Sequence, residues 1–312
     1  MRGPSRRVAL LAAGAVLVRP RAARAQGAVT IDIAGVPEDS ITPALYAEHA
    51  GLFRRYGVDA RIQPQRSGPA VASGVAGGAY QIGKASTEPI IIAHTKNIPF
   101  VMVAAGGVYD TRAPIAQMLV RADSPIKTAA DLNGKTIAVF GLTDIFTLAD
   151  RLWMDRNGGD STTVKMVELP VSEIAAAIEA GRIDAGAINE PELAAALAGR
   201  KLRVLGKPFD AVAPRFMYTA WFTTAEFVKS HRPAVDGFAR AMREAAAYVN
   251  AHPADTVELL AAFTRIEPTV IRSMTRVVQG TTLDVALLQP VIDASARYKA
   301  IPASFDAKEL LL

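Results

Sequence analysis

The stretch Met166–Gly199, MVELPVSEIAAAIEAGRIDAGAINEPELAAALAG, decides the fold class of this 312-residue chain. Val164 to Leu169 alternates apolar and polar residues, as a short strand does. Pro170 interrupts it, and Ser172 is placed to cap a helix whose Ile174, Ala177 and Ile178 share one face. Gly181 ends that helix, and the apolar run Ile183 to Ile188 is the next strand. Asn189-Glu190-Pro191 turns the chain into a second helix, with Pro191 at a first position that needs no backbone donor. Strand–helix–strand–helix is the grammar of a parallel sheet covered by helices. Such sheets carry ligands beyond the carboxyl ends of their strands, so Asn189 and Glu190 are expected at a mouth.

The N-terminus reads differently. Arg2, Arg6 and Arg7 precede an apolar run from Val8 to Val18, and Ala23-Arg24-Ala25 before Gln26 fits a small-residue cleavage site. Residues 1–25 are therefore expected to be a secretory signal cleaved after Ala25. The run is about 11 residues where a spanning helix needs roughly 20, which argues against a retained anchor. Ser5-Arg6-Arg7 hints at twin-arginine export, although Ala9 stands where a large apolar residue is usual, so that route and the general one both stay open. The signal holds six arginines and no acid, so its loss takes the formal charge from +5 to −1. The basic balance belongs to the leader, which excludes nucleic acid as a partner. The chain has no cysteine. That rules out disulfides, thiolate metal sites, a cysteine nucleophile and a lipidated cysteine anchor.

In chain order, Val29 to Val36 is a strand and Pro37-Glu38-Asp39-Ser40 a polar loop. Pro43 opens a helix to about Arg55, Val58 to Gln63 is a strand, and Ser67-Gly68-Pro69 opens a helix closed by Gly77-Gly78. Ala79 to Ala85 is the third strand, Ser86-Thr87-Glu88-Pro89 leads into the helix Ile90 to Thr95, and Phe100 to Ala105 is the fourth strand. Ala76-Gly77, strand, Glu88-Pro89 echoes Ala180-Gly181, strand, Glu190-Pro191, as two lobes of similar plan do. Turn-rich passages at Tyr109 to Pro114 and Pro208 to Pro214 are candidate crossings. Met217 to Thr223 is strand-like, and beyond about Ala225 the pattern is helical, with breaks at Pro233, Pro253 and Pro268. The expected organisation is lobe I from 26–110 and 215–312, with lobe II, 111–214, inserted, a body that hinges closed over a ligand.

Several of these pieces together resemble one family. They are Ala47-Glu48-His49-Ala50-Gly51-Leu52-Phe53 with Gly57-Val58, Asp131-Leu132-Asn133-Gly134-Lys135-Thr136-Ile137-Ala138-Val139, Glu168-Leu169-Pro170, Ala176 to Ala185, and Glu190-Pro191. In order and spacing the chain is similar to the periplasmic solute-binding proteins of ABC importers in the nitrate/sulfonate/taurine class, which includes binders of thiamine-pyrimidine precursors. The resemblance implies a two-lobe α/β periplasmic-binding-protein fold of type II, each lobe a mostly parallel sheet flanked by helices, with the cleft between them. It implies capture of a small solute, delivery to a membrane permease, a periplasmic location and a monomer, with no catalysis and no cofactor.

Catalytic patterns are few. His49, His94, His231 and His252 lie far apart without metal-ligand spacing, so no metal is expected. Neither a Gly-x-Ser-x-Gly elbow nor a complete Gly-x-x-x-x-Gly-Lys-Ser/Thr phosphate loop occurs, since Ala85 follows Gly83-Lys84. Asp144 with Asp150, and Glu190 with Glu192, read as ordinary first-turn helix acids favoured by the macrodipole.

Binding groups are more numerous. Helix starts at Ser40, at Ser67-Gly68, at Ser86-Thr87 and at Thr143 offer free N–H groups to a carboxylate, sulfonate or nitrate, and each Ser or Thr serves equally as a plain cap. Asp144 would compete with an anion for such donors. Glu88, Asn189 and Glu190 suit an amine-bearing ligand or polar heterocycle instead. Arg66, Arg112 and Arg215 are possible countercharges, with solvent exposure the plainer role. Tyr218 and Trp221 are placed to stack on a planar ligand or to pack the core, and Trp153 to pack the core. Two rivals to the receptor remain, a pyrimidine-precursor biosynthetic enzyme on the same fold and a sensing domain for a membrane signalling partner. The resemblance implies that such enzymes are cytosolic and use cysteine and histidine around iron, so the export signal and the lack of cysteine argue against the first rival.

Overall fold

The computed structural model describes residues Val29–Leu312. The expected signal, residues 1–25, and its cleavage after Ala25 lie outside the described residues. The strands in chain order are β1 (Val29–Gly35), β2 (Val58–Pro64), β3 (Ile82–Ser86), β4 (Phe100–Ala105), β5 (Gly107–Asp110), β6 (Ala116–Arg121), β7 (Thr136–Val139), β8 (Lys165–Glu168), β9 (Ala185–Asn189), β10 (Leu202–Gly206), β11 (Arg215–Met217), β12 (Thr219–Thr224) and β13 (Val278–Gln279). The helices are α1 (Thr42–His49), α2 (Leu52–Arg55), α3 (Gly68–Ala76), α4 (Thr87–Thr95), α5 (Ile145–Arg156), α6 (Val171–Glu179), α7 (Glu192–Ala198), α8 (Ala225–Ala251), α9 (Val257–Thr264), α10 (Pro268–Ser273) and α11 (Val285–Arg297).

The stretch around Met166 folds as β8–α6–β9–α7. Pro170, rather than Ser172, sits at the cap position of α6, and Ile174, Ala177 and Ile178 are its buried face. Gly181 follows at φ 69, a left-handed position that costs glycine nothing and reverses the chain into β9. Every residue of β9 is buried, as expected of a strand covered on both faces. The second sheet runs β10-β6-β9-β7-β8, so the crossover from β8 to β9 passes over β7, which is parallel to both.

Two five-stranded sheets make the two lobes, and the first runs β2-β1-β3-β12-β4. Both are mixed, each with four strands running one way and a single strand against them. In the first, β1 is parallel to β2 and β3, whereas β12 is antiparallel to β3 and β4. In the second, β6 is antiparallel to β9 and β10. The cause is connectivity: β12 enters its sheet on the way back from the other lobe and runs opposite to strands laid down on the way out.

The crossings between lobes are ordered. β5 and β11 pair antiparallel with Asp110 opposite Arg215 and Phe216 opposite Tyr109, and β13 completes a three-stranded sheet. The Thr111 amide donates to the Pro214 carbonyl at 2.9 Å just beyond. Strands of two to four residues carry too few positions to show an alternation, so sequence periodicity misses them.

Helix boundaries shift for local reasons. The single helix expected from Pro43 to Arg55 breaks at Gly51, which takes φ 70. Conversely α8 continues through Pro233 with a kink at His231, because proline denies only one backbone bond and its ring displaces the preceding turn. Trp221 and Phe238 meet edge to face at 5.5 Å beneath α1 and α8, in a core confined to the first lobe. Among the described residues no helix is long and apolar enough to cross a membrane.

Candidate functional site: the cleft between the lobes

The carboxyl ends of β1, β3, β7 and β9 converge between the lobes. A small compartment of about 20 Å³ lies there, lined by Glu38, Ser67, Gly68, Ser86 and Tyr218 from one lobe and by Phe140, Asp144, Phe146 and Asn189 from the other. That volume is about one water's worth, so side chains nearly fill it. Gly68 lets the lobes meet: a Cβ there would stand 3.0 Å from Asp144 Oδ2 and 3.4 Å from Ser86 Oγ.

Two hydrogen bonds cross the compartment. The Asn189 amide donates to Glu38 Oε2, and Ser86 Oγ donates to Asp144 Oδ2 at 2.8 Å. In both, a carboxyl accepts and a neutral side chain of the opposite lobe donates. The Asp39 amide adds a third link to the Glu190 carbonyl at 3.4 Å.

Beneath them lies charge that the sequence reading does not single out. Lys84, fully buried on β3, reaches Glu38 Oε1 and donates to Ser40 Oγ at 2.6 Å, while Ser40 donates to Glu38 at 2.8 Å. Burial lowers the Lys84 pKa, and the adjacent Glu38 opposes that shift. Asp39 accepts from Arg276 Nε at 2.9 and 3.0 Å, from the Val277 amide at 2.7 Å and from Thr42 at 2.9 Å. The one available signal was Lys84 itself, a charge inside an otherwise apolar strand; its partner lies 46 residues away and Asp39's lies 237 away.

The acids read as ordinary first-turn groups are not exposed. Asp144 caps α5 by accepting from the Phe146 amide at 3.2 Å, and burial raises it to about 6. Asp150 is fully buried, with neither oxygen bonded among the described residues, and burial with Asp144 nearby pushes it well up. Glu190 accepts from the Ala194 amide at 3.0 Å and is raised by burial to about 7. Glu192 is raised to about 8 by burial, with repulsion from Glu38 and Glu190 adding to it.

The nominated residues divide. Ser67, Gly68, Ser86, Asn189 and Tyr218 line the compartment, and Ser67 also caps α3 by accepting from the Ala70 amide at 3.4 Å. The Tyr218 hydroxyl is buried without a hydrogen-bond partner among the described residues. Ser40 lies behind, bonded to Lys84 and Glu38. Thr87 is turned into structure, its amide donating to the Tyr218 carbonyl at 2.9 Å and its hydroxyl to Met217 at 3.3 Å. Glu88 and Thr143 face a separate cavity of about 220 Å³, where Ser295 donates to Glu88 at 2.5 Å. Glu190 is spent on the backbone. Trp221 is fully buried in the first-lobe core, so it packs and offers no face to the cleft. Of the arginines, Arg112 pairs with Asp110 and Arg66 lines an outer chamber. Arg215 is exposed on the crossing strand β11.

The NMT1/THI5-like family model matches residues 38–256, from Glu38 through most of both lobes. The chain belongs to that family. Among solved structures it is similar to the periplasmic aliphatic sulphonate binding protein of Escherichia coli, with 22% identity, a TM-score of 0.71, and 91% of this chain and 92% of that one covered. The alkanesulfonate-binding protein of Xanthomonas axonopodis bound to MOPS matches with 18% identity and a TM-score of 0.76, over 92% of this chain and 99% of that one. A Bacillus subtilis protein provisionally named for binding aliphatic sulfonates is 24% identical over 286 residues, 88% of this chain and 83% of its own length. The fold is thus the two-lobe periplasmic-binding-protein fold expected from the sequence, and these relatives are named for binding rather than for catalysis.

Proposed function

We propose that this chain is the extracytoplasmic solute-binding receptor of an ABC importer, closing its lobes on a small organic solute for a membrane permease and breaking no bond. The moving bodies are 29–110 with 215–312, and 111–214, joined at the paired strands β5 and β11. The observation that carries this reading is the pair of cross-lobe bonds, Asn189 to Glu38 and Ser86 to Asp144, at the strand ends where α/β sheets hold ligands. A solute inserted between the lobes replaces those two donors on the two carboxyls, so it carries donors of its own. An amine-bearing, planar, pyrimidine-like head fits that demand, with Tyr218, Phe140 and Phe146 beside it. Ser67, Ser86, Asn189, Tyr218, Glu38 and Asp144 are the binding residues under this reading.

The names of the relatives favour a second reading, an aliphatic sulfonate. Lys84 is the cation such a head would use, and it would first have to leave Glu38. A thermal-shift screen of the chain from Gln26 onward separates the two. Panels of aminopyrimidines and amines, of alkanesulfonates and carboxylates, and of nitrate are compared. A ligand at 100 times its Kd stabilises by about 2.7 kcal/mol, a readable shift. Hits among donor-bearing heterocycles uphold the first reading, hits among sulfonates the second, and no shift in any panel removes the receptor reading.

A further inference from the structure

The deep compartment shares Val36 and Val171 with a chamber of about 680 Å³ that opens toward solvent between the lobes. This volume is in the range of small-molecule sites. Its walls are largely apolar, with Ile62, Pro64 and Phe263 from one lobe and Pro170 from the other.

Charge is sorted along this path. Glu38 and Asp144 line the inner compartment, and Glu192 lines the chamber itself, with one oxygen buried and without a hydrogen-bond partner among the described residues. The unpartnered Tyr218 hydroxyl lines the same inner end. On the outer side stand Arg66 and Arg265, both exposed and with no acid in salt-bridge range among the described residues. An anion seated at the inner end would face Glu38 and Asp144, with Lys84 already engaged by Glu38 and Ser40. A donor beside Glu192 in the chamber satisfies its buried carboxyl oxygen, which is costly to leave unpaired.

We propose that the solute is elongated and dipolar, entering donor end first to reach Glu38 and Glu192, with an anionic oxyacid group at its other end held at the chamber rim by Arg66 and Arg265. This rests on the receptor reading and adds the orientation and the second subsite. The apolar walls between the two ends take the solute's body.

The test is calorimetric titration of the chain from Gln26 onward with 4-(aminomethyl)benzoate, benzylamine, 4-methylbenzoate and 4-methylbenzenesulfonate. The expected order places 4-(aminomethyl)benzoate first, with the two acids lacking an amine at least tenfold weaker. In the double variant Arg66→Gln, Arg265→Gln, 4-(aminomethyl)benzoate falls severalfold, to the level of benzylamine, whose own affinity does not fall. Glu192→Gln weakens both amines. Tighter binding of 4-methylbenzenesulfonate than of the amino acid overturns the orientation and leaves the receptor reading standing. An equal loss for benzylamine in the arginine variant overturns the rim subsite, because an anion-specific contact cannot weaken a ligand without an anion. Failure of all four probes overturns the dipolar solute, and the separate thermal-shift panels then decide whether the receptor reading survives.

Discussion

Asn189, the last residue of β9, donates its side-chain amide to Glu38, which follows β1 in the opposite lobe. Glu38 also neutralises the buried Lys84 on its own side. One carboxyl therefore does two things, holding a buried cation in place and latching the lobes, and the two can be separated by mutation.

Asn189→Ala removes the latch and leaves the Lys84 pair. Closure of the empty protein is expected to lose about 1 kcal/mol, and because the solute displaces this bond, affinity in a calorimetric titration is expected to hold or rise by up to roughly fivefold, with the urea midpoint nearly unchanged. Glu38→Gln instead strands Lys84 in the interior and is expected to cost about 3–5 kcal/mol in urea unfolding. Adding Lys84→Met to Glu38→Gln recovers most of that loss, since replacing both members of a buried pair is far cheaper than breaking it.

Stability falls with pH through the mildly acidic to neutral range. Asp144 at about 6, Glu88 and Glu190 at about 7 and Glu192 at about 8 all lie above their unfolded values. Between the unfolded and folded pKa the native state binds more protons, so this contribution is fully present below about pH 4 and is lost as pH rises toward 8. The melting temperature, followed from pH 5 to 8, is expected to decline, and the double variant Asp144→Asn, Glu88→Gln to flatten the slope.

Gly68→Ala splits stability from binding. Alanine favours the α3 helix, so the melting temperature is expected to hold or rise. Its methyl meets Asp144 Oδ2 at 3.0 Å only when the lobes are together. Affinity in a calorimetric titration is expected to drop about tenfold, equivalent to roughly 1.4 kcal/mol.

Trp221→Ala acts in the opposite sense. The ring fills the first-lobe core against Phe238. Its loss is expected to cost about 3–5 kcal/mol in urea unfolding. The Kd measured on the folded variant at low temperature stays within twofold, a result that a cleft-lining tryptophan would not give.

The chain's layout was legible from its sequence wherever the cause is local. Glycines and prolines mark the ends of strands and helices, apolar spacing separates period two from period 3.6, and β8–α6–β9–α7 follows from residues within 34 positions of one another. The rule that α/β sheets present strand ends and helix starts on one edge pointed to Ser67, Gly68, Ser86 and Asn189, and Tyr218, nominated for its ring, lines the same compartment. Tertiary structure alone decided the rest. The partners of Lys84 and Asp39 lie in distant segments, and no local pattern encodes which charges will meet. Whether Trp221 faces cleft or core depends on strand parity, and β12 is buried on both faces from Thr219 to Thr223, so hydrophobicity cannot set that parity. The acids at 144, 150, 190 and 192 look like surface helix starts until two lobes close over them. Desolvation by a distant part of the chain is what raises their pKa values, and that is a property of the packed molecule.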